Sequence, residues 1–160
     1  MIGWYFWVTS LILIVGGALA SSSLILAKKP NAKDLFLKVA PYQGSIGVVM
    51  FLWGIYDLLF NFLFHIGSFF EVFKIPTIWW KLFGIFALVG FVCELVVGAL
   101  LGASLITSNI AKKSPEMAVK AEAMIKKVAP WQTIFGIVAI ITGIYWLLFS
   151  LFLWKVGLGS

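Results

Sequence analysis

"KVAPYQGSIGVVMFLWGIYDLLF", residues 38–60, decides the fold, because the chain states it twice. Residues 127–149 read "KVAPWQTIFGIVAIITGIYWLLF" and align with it without a gap, with thirteen of twenty-three positions identical. The echo extends upstream. "AKK" at 27–29 answers "AKK" at 111–113, and "VGGALASSSLI" at 15–25 answers "VVGALLGASLI" at 96–106. Each copy reads as apolar helix, basic loop, short amphipathic segment, "KVAP", apolar helix. A unit longer than about 50 residues lies outside the solenoid repeats, so this is a domain-scale duplication. The expected divisions are 1–66 (repeat one), 67–81 (an outer, amphipathic, aromatic connector) and 82–160 (repeat two).

Composition says where such a unit lives. The 160 residues are 62% hydrophobic and 11% charged, with mean hydropathy +1.08. Soluble domains carry about 25% charge. The charges here cluster, leaving residues 1–27 and 128–154 with none, 39–70 with only Asp57, and 82–111 with only Glu94. About 20 apolar residues cross the hydrocarbon core as a helix. The expected fold is an all-α membrane protein with four transmembrane helices, near 3–27, 43–66, 82–109 and 131–154. The runs are continuous rather than alternating, which favours helices over barrel strands. The first run has no basic residue before Lys28 and is echoed by a later span, so it reads as a span and not as a signal peptide.

With two spans per unit, both copies enter the membrane in the same direction. The expected arrangement is two parallel-repeat helical hairpins about a pseudo-two-fold axis along the membrane normal. All twelve basic residues are lysines, nine of them between 28–38 and 112–127. The positive-inside rule places those two loops in the cytoplasm and both termini outside, as in a bacterial inner (plasma) membrane. The net charge of +6 then meets anionic lipid headgroups, not nucleic acid. Aromatic residues at 4–7, 79–80, 42 and 131 mark the interfaces.

Within each copy the segment before "KVAP" is expected to be a short amphipathic helix on the cytoplasmic membrane surface. Pro41 and Pro130 suit helix starts, where the missing N–H is unpaired in any case, so "KVAP" reads as a corner. Gln43 and Gln132, just beyond, form a repeat-related polar pair. They serve either a pore mouth or headgroup site, or the unpaired groups of a helix entry. Gly47 and Gly54, their copies Gly136 and Gly143, and the GxxxG pair Gly98 and Gly102 are expected to let helix backbones approach closely in lipid.

The copies differ at two carboxyl side chains. Glu94 aligns with Leu13, and Asp57 with Trp146. A carboxyl in hydrocarbon is costly and usually faces the bundle interior or water. Glu94 and Asp57 are therefore the candidate intramembrane ionisable site, with a proton- or cation-binding role set against a structural interhelical bond. His65 is expected at the outer end of the second span, and Cys93 as a small apolar neighbour of Glu94. No CxxC, second histidine, phosphate loop or Ser-His-Asp set is present. The chain thus reads as non-enzymatic, without cofactor, metal or catalytic residues. Two functions remain. One is an accessory or scaffold subunit of a larger membrane complex, favoured by the scarcity of polar lining. The other is a small oligomeric transporter or channel using Glu94 and Asp57. The expected partners are the bilayer and further copies or other membrane subunits.

Overall fold

A computed structural model describes residues 4–29, 31, 33–111 and 114–152. Lys112, Lys113 and Lys155, and the last two residues of the expected fourth span, lie outside them. Among the described residues there are helices and turns and no strand. The helices are α1 (Trp4–Ala20), α2 (Ser22–Lys28), α3 (Lys33–Val39), α4 (Gln43–Tyr56), α5 (Ile66–Glu71), α6 (Ile78–Ala111) and α7 (Pro115–Leu151).

Three helical runs are long and apolar enough to cross a membrane: Lys33–Leu63, Ile78–Ala103 and Lys126–Leu151. A fourth qualifies only if α1 and α2, bent by 69° to each other, count as one span. The expected first span, near 3–27, is thus present as a bent pair that breaks at Ser21, whose hydroxyl donates to the Gly17 carbonyl at 2.7 Å.

The expected corner at "KVAP" is corrected. In the second copy α7 runs unbroken through Pro130, and the amphipathic segment forms its first turns. In the first copy a 3₁₀ turn at Ala40–Tyr42 tightens the chain, but Lys33–Leu63 remains one run. A proline removes one rung of the ladder, and α7 continues across it with apolar packing on the C-terminal side, from Gly136 and Ala139 onward. The short interfacial helices thus become the basic ends of long spans. At 1.5 Å per residue, α7 is about 55 Å long, well beyond a hydrocarbon core of about 30 Å.

The packing differs from two self-contained hairpins. The extensive interfaces are α4 with α6, α1 with α7, and α6 with α7; α1 and α4 barely touch. Glycines make the first two close. A Cβ on Gly136 would run into Gly17, Ala20 and Ser21, and one on Gly47 into Leu101 and Gly102. A Cβ on Gly143 would meet Leu13 and Ile14, and one on Gly54 would meet Glu94 and Leu95. Gly98 abuts Phe51 and Gly102 abuts Val48. With no hydrophobic force between helices in lipid, this intimacy supplies the van der Waals attraction that holds them.

Polarity is distributed as in a membrane protein. Thr9, Ser10, Ser21, Asp57, Glu94, Thr142 and Ser150 are buried, while Leu11, Val49, Leu52, Ile85, Val92 and Ile141 face outward. One apolar cluster centres on Leu13, Met50, Val97, Leu101 and Ala139. A second, aromatic cluster gathers Phe69, Phe91 and Trp146. The connector at 67–81 belongs to this aromatic end. Phe69 is buried and Phe73 packs against Gly84, so it folds onto its own bundle.

Candidate functional site

Asp57 and Glu94 come from different helices and meet. Gly54, one turn before Asp57, makes this possible: a Cβ there would lie 2.9 Å from that of Glu94 and 3.1 Å from the Leu95 nitrogen. The backbones of α4 and α6 are therefore nearly in contact, and the next side chains along them face each other. The two carboxyl groups are near enough to influence each other electrostatically, without a well-formed hydrogen bond to either Glu94 oxygen. Both residues are 0% exposed.

Helix geometry changes at the acid. From Asp57 to Leu63 the α4 helix widens into a π-helix, with the Phe64 amide bonded to the Leu59 carbonyl five residues back at 3.0 Å. π segments are uncommon and often occur at functional sites. Within this turn Asn61 Nδ2 donates to Asp57 Oδ1 at 3.2 Å. From α1, the Tyr5 hydroxyl interacts with the Asp57 carboxyl. The Tyr5 ring stacks on Trp53 at 6.1 Å, and Trp53 Nε1 donates to Thr9 Oγ1 at 3.0 Å.

The site is under-satisfied. Asp57 Oδ2, both Glu94 oxygens and the Tyr5 hydroxyl are buried without a well-formed hydrogen bond. Neither acid is in an ion pair among the described residues; Lys74–Glu71 and Lys120–Glu116 are ion-paired, and both pairs are exposed. Each unsatisfied buried polar group costs about 1–3 kcal/mol. A pair of neighbouring carboxyls adds mutual repulsion whenever both are charged, and this is strong where the dielectric is low. The arrangement is suited to holding a positive charge, whether a proton or a small cation.

A cavity of about 350 Å³ opens beside the pair at the aromatic end. Tyr5 and Asn61 line it, so Asn61, which is bonded to Asp57, forms part of its wall. Phe6, Phe83 and Trp146 form another wall, packed ring to ring at 5.5–5.8 Å. His65 also lines it, with Nδ1 2.6 Å from the Phe60 carbonyl.

The corresponding place in the other half carries no carboxyl. In the register that pairs Glu94 with Leu13 and Asp57 with Trp146, Thr9 answers Gly90 and Trp53 answers Thr142. A Cβ built on Gly90 would meet Thr142 at 3.4 Å, Leu13 at 3.6 Å and Trp146 at 4.0 Å. One quartet therefore holds two carboxyls, an indole and a hydroxyl. Its counterpart is filled by leucine, tryptophan and threonine around a glycine.

Of the other candidates, Gln43 lines a small cavity at the basic end and Gln132 lies within α7; no hydrogen bond joins them among the described residues. Cys93 is buried in the apolar core. No group of three or more His, Cys, Asp or Glu comes together among the described residues. Tyr5, Thr9, Trp53 and Asn61 were not foreseen as site residues. Asn61 carried a signal, standing four residues after Asp57 on the same face of the run. Comparisons with known protein families, curated proteins and solved structures find no match to this chain.

Proposed function

We propose that this chain is a small, non-enzymatic transport protein of the membrane that takes a proton or a small cation onto the Asp57–Glu94 pair from the aromatic-end cavity. The observation that carries this reading is the convergence of two carboxyls from separate helices at a fully buried point, with both Glu94 oxygens unpartnered. A purely structural pair would be expected to satisfy itself. The matched glycine contacts support a duplicated scaffold in which α1 with α7 answers α6 with α4. In this scheme one copy has kept a joint without carboxyls and the other carries the ion site. The lysine-rich ends face the cytoplasm, and both termini lie outside, in a membrane such as the bacterial inner membrane.

Beyond Glu94 toward the lysine-rich end the interior is apolar, through Val97, Leu101 and Met50. A full path therefore runs between subunits of an oligomer. The same apolar barrier favours the second reading, an accessory or scaffold subunit of a larger complex in which the acid pair serves a partner. The test is reconstitution into liposomes with a pH-sensitive dye, alongside infrared measurement of the carboxyl C=O band. Proton-coupled flux, and a band that responds to pH and loses intensity in Glu94→Gln, would support the proposal. Identical flux and spectra for wild type and Glu94→Gln would overturn it. Flux or band response appearing only in a purified larger assembly would favour the subunit reading.

A further inference from the structure

We propose that the seam between α1 and α4 is a binding site for one acidic phospholipid, with an acyl chain between the two helices and the headgroup beside Lys33. This inference does not depend on the acid pair.

It begins with an asymmetry. The α6–α7 seam is closely packed, whereas α1 and α4 barely touch. The side chains at the two seams differ in size, Met50 on Gly16 in one and Ala139 with Val97 at the aligned positions of the other. Met50, 1% exposed, fills the α1–α4 seam and lies directly on Gly16. The aligned residue in the other half is Ala139, 0% exposed. An alanine lets two helices close; a methionine holds them apart and leaves space beside it.

That space is a groove of about 390 Å³, walled by Leu11, Ile12 and Val15 on α1 and by Ile46, Val49 and Met50 on α4. Its outer walls are open: Leu11 is 56% and Val49 59% exposed. A second cavity, of about 190 Å³, is bounded by Leu19, Ser22 and Leu26 on one side and by Lys33, Phe36 and Gln43 on the other. Leu11, Val15 and Leu19 are spaced by four residues along one face of α1, and Ser22 and Leu26 follow on α2 beyond the bend. The two cavities therefore border successive turns of the same face of α1, the second at the start of α2. The slot is apolar at one end and ends in an amide, a hydroxyl and an ammonium at the other.

This polarity selects the occupant. The apolar end lies at a depth where water is scarce and acyl chains are abundant. A space of 390 Å³ admits a chain, whereas a helix about 10 Å across would have to rest on the rim. At the polar end Lys33 lines the slot, and Lys28, Lys29 and Lys38 lie in the same stretch. Each lysine near an anionic headgroup contributes about 1 kcal/mol, so an acidic headgroup is preferred over a zwitterionic one.

The test is native mass spectrometry of the full chain, delipidated and then exposed to dioleoyl phosphatidylglycerol or dioleoyl phosphatidylcholine. We expect one phosphatidylglycerol held per chain and phosphatidylcholine held about fivefold less well. Lys33→Gln should weaken phosphatidylglycerol by about fivefold. Val49→Trp, at an exposed wall, should fill the groove and cut retention by about tenfold or more, and Val15→Trp repeats this from the other helix should the first variant fail to fold. Equal retention of the two lipids, or retention untouched by both tryptophans, would overturn the proposal. So would a dimer that excludes lipid and is dissolved by Val49→Trp, since the groove would then hold a second copy.

Discussion

Glu94→Leu should make the protein more stable and less active. Glu94 is fully buried, and neither oxygen has a hydrogen-bond partner. The aligned position already holds a leucine. A Cβ on Gly143 would lie 3.0 Å from the Leu13 Cβ, and one on Gly54 lies 2.9 Å from the Glu94 Cβ, so the backbones approach equally closely. Leucine at 94 therefore enters a space of matching depth. The exchange removes an unsatisfied carboxyl, worth about 1–3 kcal/mol, and leaves Asp57 with its Asn61 bond. We expect a net gain of about 2 kcal/mol, a roughly thirtyfold rise in the folded-to-unfolded ratio. Reversible unfolding in mixed micelles with increasing dodecyl sulfate, followed by circular dichroism, reads this directly. Liposome flux should fall to background in the same variant. The alternative, an interhelical hydrogen bond kept for stability, predicts the opposite sign, with such bonds worth about 0.6 kcal/mol on average and up to about 1.7 in membranes. A loss of 1 kcal/mol or more in Glu94→Leu would refute the reasoning and make Glu94 a joint between helices.

Two further outcomes check the scaffold. Gly47→Ala and Gly136→Ala should each destabilise by about 1–3 kcal/mol in the same unfolding assay, because the added methyl meets backbone atoms of α6 and α1 respectively. Gly67→Ala, with nothing within 4 Å, should be neutral or slightly stabilising; equal losses at all three positions would remove the close-packing account. Single cysteines at Lys28 and Lys120, in the Cys93→Ala background, should react with a membrane-impermeant maleimide only after the cells are opened. Labelling of either in intact cells would invert the proposed orientation.

How much of this was legible in the sequence depends on which force decides each feature. The spans were, since an apolar run of sufficient length has few alternatives in lipid. Close packing at the glycines was also legible, because a missing side chain matters only where a neighbour comes near. The corner at "KVAP" was misread. Proline tells against a helix interior by its own propensity, yet α7 runs through Pro130. In one copy the phrase passes from the end of α3 into a 3₁₀ turn at Ala40–Tyr42 and in the other it stays within α7, so its local preference does not fix the outcome. The break at Ser21 was hidden because the apolar run continues through it without a proline or a charge.

The acid pair lies between these cases. Each carboxyl stood out alone, as a charge within an apolar run and as a departure from its copy. That the two meet could not be read from either span, because it depends on which helices pack. Two hairpins would have set α4 against α1 and left Asp57 apart from Glu94. Instead α4 packs on α6, and Gly54 brings the two backbones together at the level of the acids. Gly143 meets Leu13 and Ile14 at the α1–α7 interface much as Gly54 meets Glu94 and Leu95 at the α4–α6 interface, so two similarly close interfaces carry a leucine in one and a carboxyl in the other. The cost of two unsatisfied carboxyls is offset by the close packing around them, and the Glu94→Leu measurement weighs that cost.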